Sequence, residues 1–260
     1  PIPLHFDAEI PIIMHEAIES IGAGPLTTKV NNRKILEGFY SGLSISDTSN
    51  TIRIIDKLDK IGTDGVATML SKDLKLTPPI IDMVLNFAEI KGAGHSVIDQ
   101  IRDLNVKSSL LEEGINELEF VIQQLEKYKA GTFLVDMSIA RGLAYYTGTV
   151  YESRFTEYPN FPTICGGGRY DNLVGDFVNK KLPGIGISIG LTRIFAKLMR
   201  EGKIQANRKT PTDILVVHTQ GAPYDLIKDT ANILRARGFN VEQYHDCLLY
   251  TSDAADERLR

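Results

Sequence analysis

The segment "RGLAYYTGTVYESRF" runs from Arg141 to Phe155 and brings several chemistries together in a short stretch. Its arginine stays charged at physiological pH and can form two parallel hydrogen bonds to phosphate or carboxylate oxygens. Tyr145 and Tyr146 each offer a flat apolar face with a hydroxyl at the tip. The residues after them are β-branched or aromatic, which predicts a strand. Taken alone, the segment fits either a site for a small anionic ligand or a structural arginine beside two packed tyrosines.

Two glycine-rich segments follow it. "CGGGRYDNL" (165–173) places three consecutive glycines in a strand-like run, which indicates either a close approach by a ligand or backbone, or a bulge. "PGIGISIGLTRI" (183–194) places Gly184, Gly186 and Gly190 along one face and ends with Arg193 at a strand-to-helix junction. The spacing and the strand context of "CGGGRYDNL" differ from those of P-loop and GxGxxG nucleotide-binding loops. The pattern predicts a glycine-floored cleft with a guanidinium that could stack on a base or pair with a polyphosphate.

The pattern upstream of these segments is mainly helical. A first helix is predicted from about Ala8 to Ile21 with Asp7 as its N-cap, followed by the strand "LTTKVNN" and the helix "RKILEGFYSGL". Residues 46–128 show helical spacing and no convincing strand, which predicts a helical subdomain. After Lys129 the period becomes two, which predicts antiparallel strands in "TFLVDM", "YYTGTVYESRF", "FPTICGGGRY" and "GIGISIGL". The expected fold class is α+β.

A second α/β domain is predicted to begin after the polar linker "REGKIQANRKTP". "TDILVVHT", "APYDLIKDTANILRARG" and "FNVEQYHD" read as strand, helix and strand, which is one βαβ unit. The terminal "CLLYTSDAADERLR" (247–260) does not continue this pattern. We expect it to be a foreign, poorly packed tail, and a natural polar tail is the alternative. The opening "PIPLHF" reads like the interior of a longer protein, so we also expect an N-terminal truncation.

Composition limits the possible functions. The 260 residues carry a formal net charge of −4, which argues against a generally basic nucleic-acid coat but allows a local basic patch. Two cysteines, Cys165 and Cys247, cannot form a disulfide framework and fit a reducing compartment. No apolar run reaches membrane-spanning length. The five histidines show no metal-ligand spacing, and Cys165 is interpreted as a buried strand residue instead of a nucleophile.

The three quoted motifs, in order and spacing, resemble the histidine-binding motif and motif 3 of histidyl-tRNA synthetase, a class II aminoacyl-tRNA synthetase. "VNNRKILEGF" and "IDKLDKIG" are similar to that family's region between motif 2 and the histidine motif. The resemblance implies a cytoplasmic homodimer that activates histidine with ATP and transfers it to tRNA(His), without a membrane segment. It also implies these domains: catalytic at 1–42 and 131–205, helical insertion at 43–130, and the start of an anticodon-binding domain at 212–246.

The resemblance implies a histidine pocket. Arg141 is implied as the catalytic group, contacting both the α-phosphate and the histidine carboxylate and stabilising charge that develops on the phosphate. Tyr145, Tyr146 and Tyr170 would line the pocket. Ala144 stands where the family usually has Asp, which puts the affinity and preorganisation of the pocket in question.

The resemblance also implies an ATP site. Arg193 would be the motif 3 arginine that holds ATP, with Gly168 and Gly190 in the sheet floor beneath the adenylate. Mg²⁺ is implied because it neutralises the triphosphate, and its protein ligands are not identified.

Motifs 1 and 2 of the family do not occur in this chain, so the chain as given is not expected to be a competent synthetase. The main alternative is the non-catalytic synthetase-like regulatory subunit of ATP phosphoribosyltransferase in histidine biosynthesis. A synthetase-like binding module fused to a regulatory protein is a second alternative.

Overall fold

The computed structural model describes residues 2–139, 145–158, 160–173, 182–218 and 221–244. The chain divides into two compact units, Pro1–Glu201 and Gly202–Arg260. In the first unit the helices are α1 (Phe6–Ser20), α2 (Arg33–Gly42), α3 (Thr48–Ile55), α4 (Leu58–Leu74), α5 (Pro78–Glu89), α6 (Ser96–Asp103), α7 (Ser109–Tyr128) and α8 (Leu191–Arg200). The strands of that unit are β1 (Leu26–Asn32), β2 (Lys91–Gly92), β3 (Phe133–Asp136), β4 (Thr149–Phe155), β5 (Cys165–Tyr170) and β6 (Gly184–Ile189).

The six strands form one mixed sheet in the order β2-β3-β1-β4-β5-β6. The pairs on either side of β4 and β5 are antiparallel, as the sequence predicts. The prediction of an antiparallel "TFLVDM" is wrong with respect to β1, because β3 pairs with β1 in parallel. The physical reason is the long connection between the two strands. Helices α2 to α7 bring the chain from the end of β1 back to the level at which β1 begins, so β3 runs in the same direction as β1. The α+β fold class is confirmed.

The helical stretch between β1 and β3 shares its core with the sheet. Phe39 of α2 stacks on Phe87 of α5 with ring centroids 3.9 Å apart. Both belong to one buried cluster that also contains Val30 of β1 and Tyr151 of β4. Sequence reasoning missed β2, because a two-residue strand leaves no periodic signal. That residues 43–130 act as a separate insertion domain stays a prediction.

The first helix differs from its prediction at the N-cap. The helix begins at Phe6 with His5 as its N-cap, so the prediction that Asp7 is the cap is wrong. The Asp7 side chain is fully buried and binds Arg169 of β5. The Asp7 carboxylate accepts charge-assisted bonds from the Arg169 guanidinium, so it faces the sheet and does not cap the helix.

The second unit contains β7 (Ile214–Val217), α9 (Tyr224–Ala236) and β8 (Val241–Tyr244). β7 and β8 pair in parallel, so the predicted strand-helix-strand unit is confirmed. Its role as the start of an anticodon-binding domain stays a prediction. The predicted foreign tail, 247–260, lies outside the described residues.

Candidate active site on the glycine face of the sheet

Side chains alternate between two faces of the sheet, because successive residues of a strand point to opposite sides. On the face that we call the helix face, Tyr151 donates to the Asp7 carbonyl, Ser153 contacts Met14 and Arg169 binds Asp7, all on α1. The opposite face, which we call the glycine face, carries Val150, Glu152, Arg154, Gly166, Gly168, Tyr170, Gly184, Gly186 and Ser188. Most of the residues predicted to bind a ligand lie on or beside the glycine face.

Tyr146 packs against the strand at Gly168. A Cβ at Gly168 would lie 2.9 Å from Cδ1 of the Tyr146 ring and 2.4 Å from the Thr149 carbonyl oxygen, so a side chain does not fit there. Tyr146 also forms a small apolar cluster with Ile139 and Val150. Tyr146 is only 8% exposed, whereas its neighbour Tyr145 is 36% exposed. The predicted tyrosine pair therefore has one buried ring, packed on the sheet, and one accessible ring.

Tyr170 occupies the next part of the glycine face. A Cβ at Gly184 would lie 2.3 Å from the Tyr170 ring, and one at Gly186 would lie 3.4 Å from its hydroxyl oxygen. The glycines thus make room for aromatic rings instead of forming a bulge. Gly184 and Gly186 share one face as predicted, whereas Gly190 is the N-cap of α8.

Arg193 lies in the first turn of α8. Its Nη1 donates to the Thr163 carbonyl, and the Gly190 amide donates to the Ile164 carbonyl at 2.6 Å. These groups border a cleft of about 350 Å³ whose lining includes Gly166 and Ser188. The amides at a helix N-terminus favour anions, and with the guanidinium they suit a phosphate group.

Cys165 also lines this cleft, but it is not a reactive thiol. Burial raises the pKa of Cys165 to about 11, so the thiol stays protonated near neutral pH. This agrees with its interpretation as a buried strand residue.

A second cleft of about 420 Å³ contains charged groups that the sequence analysis missed. Its lining includes Lys29, Ser138, Ile139, Glu152, Arg154, Thr163, Asp56, Asp59 and Lys60. Glu152 Oε1 accepts from Arg154 Nη2 at 2.9 Å and from the Thr163 hydroxyl. Charged residues at alternate positions of "TVYESRF" were the available signal. Thr163 lines both clefts and so connects the Arg193 cleft to this one.

The predictions for Arg141 and Ala144 fall on residues outside the described ranges. Among the described residues, no group of three or more His, Cys, Asp or Glu side chains could hold a metal ion by itself. No helix of the described part is long and apolar enough to cross a membrane.

The chemistry of the site follows from these neighbours. Tyr146 and Tyr170 lie over glycines of the sheet, and Arg193 with the α8 N-terminus offers donors for an anion. Glu152 Oε1 is hydrogen-bonded to the Arg154 guanidinium and to the Thr163 hydroxyl, so these oxygens do not fit a cation site. The Arg193 cleft is thus the part of the glycine face that is suited to an anion.

Comparison with known proteins places the chain in a family. A profile of that family, described as Histidyl-tRNA synthetase, matches residues 4–194. The histidine–tRNA ligase of Thermobifida fusca is 48% identical over 244 residues, which cover 94% of this chain and 56% of that protein. The ligase of Clostridium tetani is 43% identical over 79% of this chain and 47% of its own length. The chain thus spans about half the length of the curated relatives it matches.

Solved structures agree on the fold. The crystal structure of histidyl-tRNA synthetase from Nostoc sp. PCC 7120 has a TM-score of 0.73 and 34% identity, covering 99% of this chain and 61% of that one. A Bacillus halodurans protein described as an ATP phosphoribosyltransferase regulatory subunit/histidyl-tRNA synthetase has a TM-score of 0.63 at 17% identity, covering 98% of this chain and 63% of that one, and this likeness supports the fold alone. On the strength of the profile and of relatives that match most of its length, the chain belongs to the histidyl-tRNA synthetase family.

Proposed function

We propose that this chain forms part of a histidine–tRNA ligase, which activates histidine with ATP to histidyl-adenylate and transfers the histidyl group to tRNA(His). The observation that carries the proposal is the placement of Tyr146 and Tyr170 against glycines of the sheet floor, next to a cleft bordered by Arg193. An amino-acid pocket beside an anion site is what adenylate formation requires, because the carboxylate and the α-phosphate must meet in one place.

In this proposal the tyrosine pocket holds histidine. The rings of Tyr145, Tyr146 and Tyr170 surround the imidazole, which suits their flat apolar faces. Arg141 is the proposed catalytic residue: its guanidinium contacts the histidine carboxylate and stabilises the charge that develops on the α-phosphate. Family membership supports this role.

The Arg193 cleft holds ATP in the same proposal. The guanidinium of Arg193 and the amides behind Gly190 bind the nucleotide, and Gly168 contributes to the floor between the two ligands. Mg²⁺ enters the proposal on family membership alone, and none of the described residues is assigned as its ligand. When bound, the ion supplies neutralisation of triphosphate charge.

The partners of the whole protein are part of the proposal. Binding of tRNA(His), assembly as a homodimer and a cytoplasmic location rest on family membership alone.

The test is histidine-dependent exchange of pyrophosphate into ATP by a full-length protein that contains this chain. We expect exchange with histidine and background exchange with each other amino acid. Exchange that does not depend on histidine, or its complete absence, would refute the proposal. Measuring the chain as given beside the full-length protein tests the expectation that the chain alone is not competent.

A further inference from the structure

A buried ion pair lies on the helix face, on the side of the sheet opposite Gly168 and Tyr170. Asp7 of α1 is fully buried and Arg169 of β5 is 8% exposed. Arg169 Nη2 donates to Asp7 Oδ1 at 2.5 Å, and its Nε lies 3.1 and 3.2 Å from the two carboxylate oxygens. Nη2 also donates to the Pro3 carbonyl at 3.3 Å. The guanidinium is therefore held in one orientation by several bonds.

Arg169 lies between two residues that form the pocket. Gly168 precedes it and contacts the Tyr146 ring, while Tyr170 follows it and covers Gly184. Strand side chains alternate between the two faces. Holding the Arg169 side chain on the helix face therefore keeps Gly168 and Tyr170 on the glycine face.

Arg169 also contacts the segment that follows the tyrosine pair. Its carbonyl accepts from the Thr147 amide at 2.9 Å. Its side-chain methylenes lie against Gly148, where an added Cβ would be 2.8 Å from Cδ of Arg169. One residue thus joins α1, the strand carrying Tyr170 and the turn after Tyr145 and Tyr146.

Stability alone does not explain a buried ion pair. Desolvation of two charges offsets much of their attraction, and apolar pairs of similar volume often stabilise a core as well. What an apolar pair lacks is the directional, forked geometry that sets the position of a strand. Such geometry matters where a pocket must be held to a fraction of an ångström.

We propose that the Asp7–Arg169 pair is a positioning device for the histidine pocket. Through β5 and the Thr147–Gly148 turn it sets the spacing between Tyr146 and Tyr170. This inference rests on the proposed function. The pair does not touch the ligand; it acts through the two tyrosines.

A second buried cation provides a matched control. Lys197 of α8 is 3% exposed, donates to the Ala23 carbonyl at 2.8 Å and lies 4.3 Å from the centroid of the Phe155 ring. It lies one helical turn beyond Arg193, so it anchors the helix that carries the proposed ATP ligand. Removing it should disturb the ATP side of the site and spare the histidine side.

The experiment compares Asp7→Asn, Arg169→Lys and Lys197→Met in the full-length protein. We expect Asp7→Asn and Arg169→Lys to weaken histidine binding, measured by calorimetry, at least tenfold while the KM for ATP in pyrophosphate exchange changes less than twofold. Lys197→Met should instead raise the KM for ATP and leave histidine binding nearly unchanged. Two results would overturn the proposal. One is that all three variants change histidine affinity and the KM for ATP by equal factors, and the other is unchanged histidine binding in a folded Asp7→Asn protein.

A readout that does not depend on activity accompanies these measurements. Hydrogen exchange of the peptide covering 145–151 should be faster in Asp7→Asn than in Lys197→Met, since the Thr147 amide bonds to Arg169. Equal rates would also overturn the proposal. The proposed function is tested separately, because its failure is seen in the unsubstituted protein as exchange that does not depend on histidine.

Discussion

The two faces of β4 and β5 differ although they are built from the same strands. The helix face carries a closed polar network, in which His15 bonds to Thr28 at 2.7 Å and Thr28 to Ser153 at 2.8 Å, beside the Asp7–Arg169 pair. The glycine face carries rings over glycines, charged side chains and two clefts. The difference teaches that alternate residues of one short motif have different roles, one in packing the sheet on α1 and the other on the glycine face. In "GGGRY", Arg169 binds α1, whereas Tyr170 lies over Gly184 on the glycine face.

The largest effect is expected on the helix face. Replacing Asp7 with Asn leaves the Arg169 charge buried without its counter-ion, which should lower the free energy of unfolding by about 3–5 kcal/mol. Urea denaturation measures this change. The double variant Asp7→Leu, Arg169→Met should regain most of the stability and yet bind histidine poorly. A double variant that binds histidine as tightly as the original would show that the two faces are not coupled.

The next largest effect is expected from Arg141, the proposed catalytic residue. Arg141→Ala in the full-length protein should slow histidine-dependent pyrophosphate exchange by about 10²–10³-fold, as for loss of a preorganised electrostatic donor. The free energy of unfolding should hardly change. A rate loss below about threefold corresponds to less than about 0.7 kcal/mol of barrier and would make Arg141 structural.

How far the sequence could predict these faces depends on the range of the interaction. Strands and helices with clear periods, such as "LTTKVNN" and "RKILEGFYSGL", were predicted because their signal is local. The pairing of Asp7 with Arg169 spans 162 residues and leaves no local pattern, so Asp7 was taken for a helix cap. The parallel direction of β3 depends on how the intervening helices pack, which is also a long-range effect.

The candidate site was predictable to a similar extent. Consecutive and alternating glycines indicated a close approach, but only the fold shows that Tyr146 and Tyr170 make it. Glu152 and Thr163 come together across a strand and a loop, and neither carried a signal strong enough to select it. The roles of Arg141 and Arg193 came from the family resemblance.

A pH effect of intermediate size is expected from the helix face. Burial lowers the pKa of His15 to about 4, so the folded state holds this imidazole neutral. Between pH 6.5 and 4 the unfolded chain binds a proton that the folded chain does not, so stability is lost as the pH falls through this window. The loss should approach about 3 kcal/mol.

Urea denaturation at pH 7 and pH 4.5 measures this loss. His15→Gln removes the titrating group and should flatten the dependence on pH across this window. An unchanged dependence in that variant would mean that other groups cause the acid sensitivity.

The smallest effect is expected at Ala144. Restoring the carboxylate that the family usually carries, with Ala144→Asp in the full-length protein, should tighten histidine binding by about threefold, near the worth of one modest hydrogen bond. Calorimetry with histidine measures it, and Ala144→Asn separates charge from hydrogen bonding. Weaker binding by the Asp variant would show that this pocket is built differently from those of its relatives.

The most direct test of the account is a crystal structure of the full-length protein grown with histidine and a non-hydrolysable ATP analogue. The account predicts density for the imidazole between Tyr146 and Tyr170 on the glycine face, with the nucleotide at Arg193 and the Asp7–Arg169 pair intact behind it. Histidine bound elsewhere, or a pocket filled while Arg169 points away from Asp7, would contradict it.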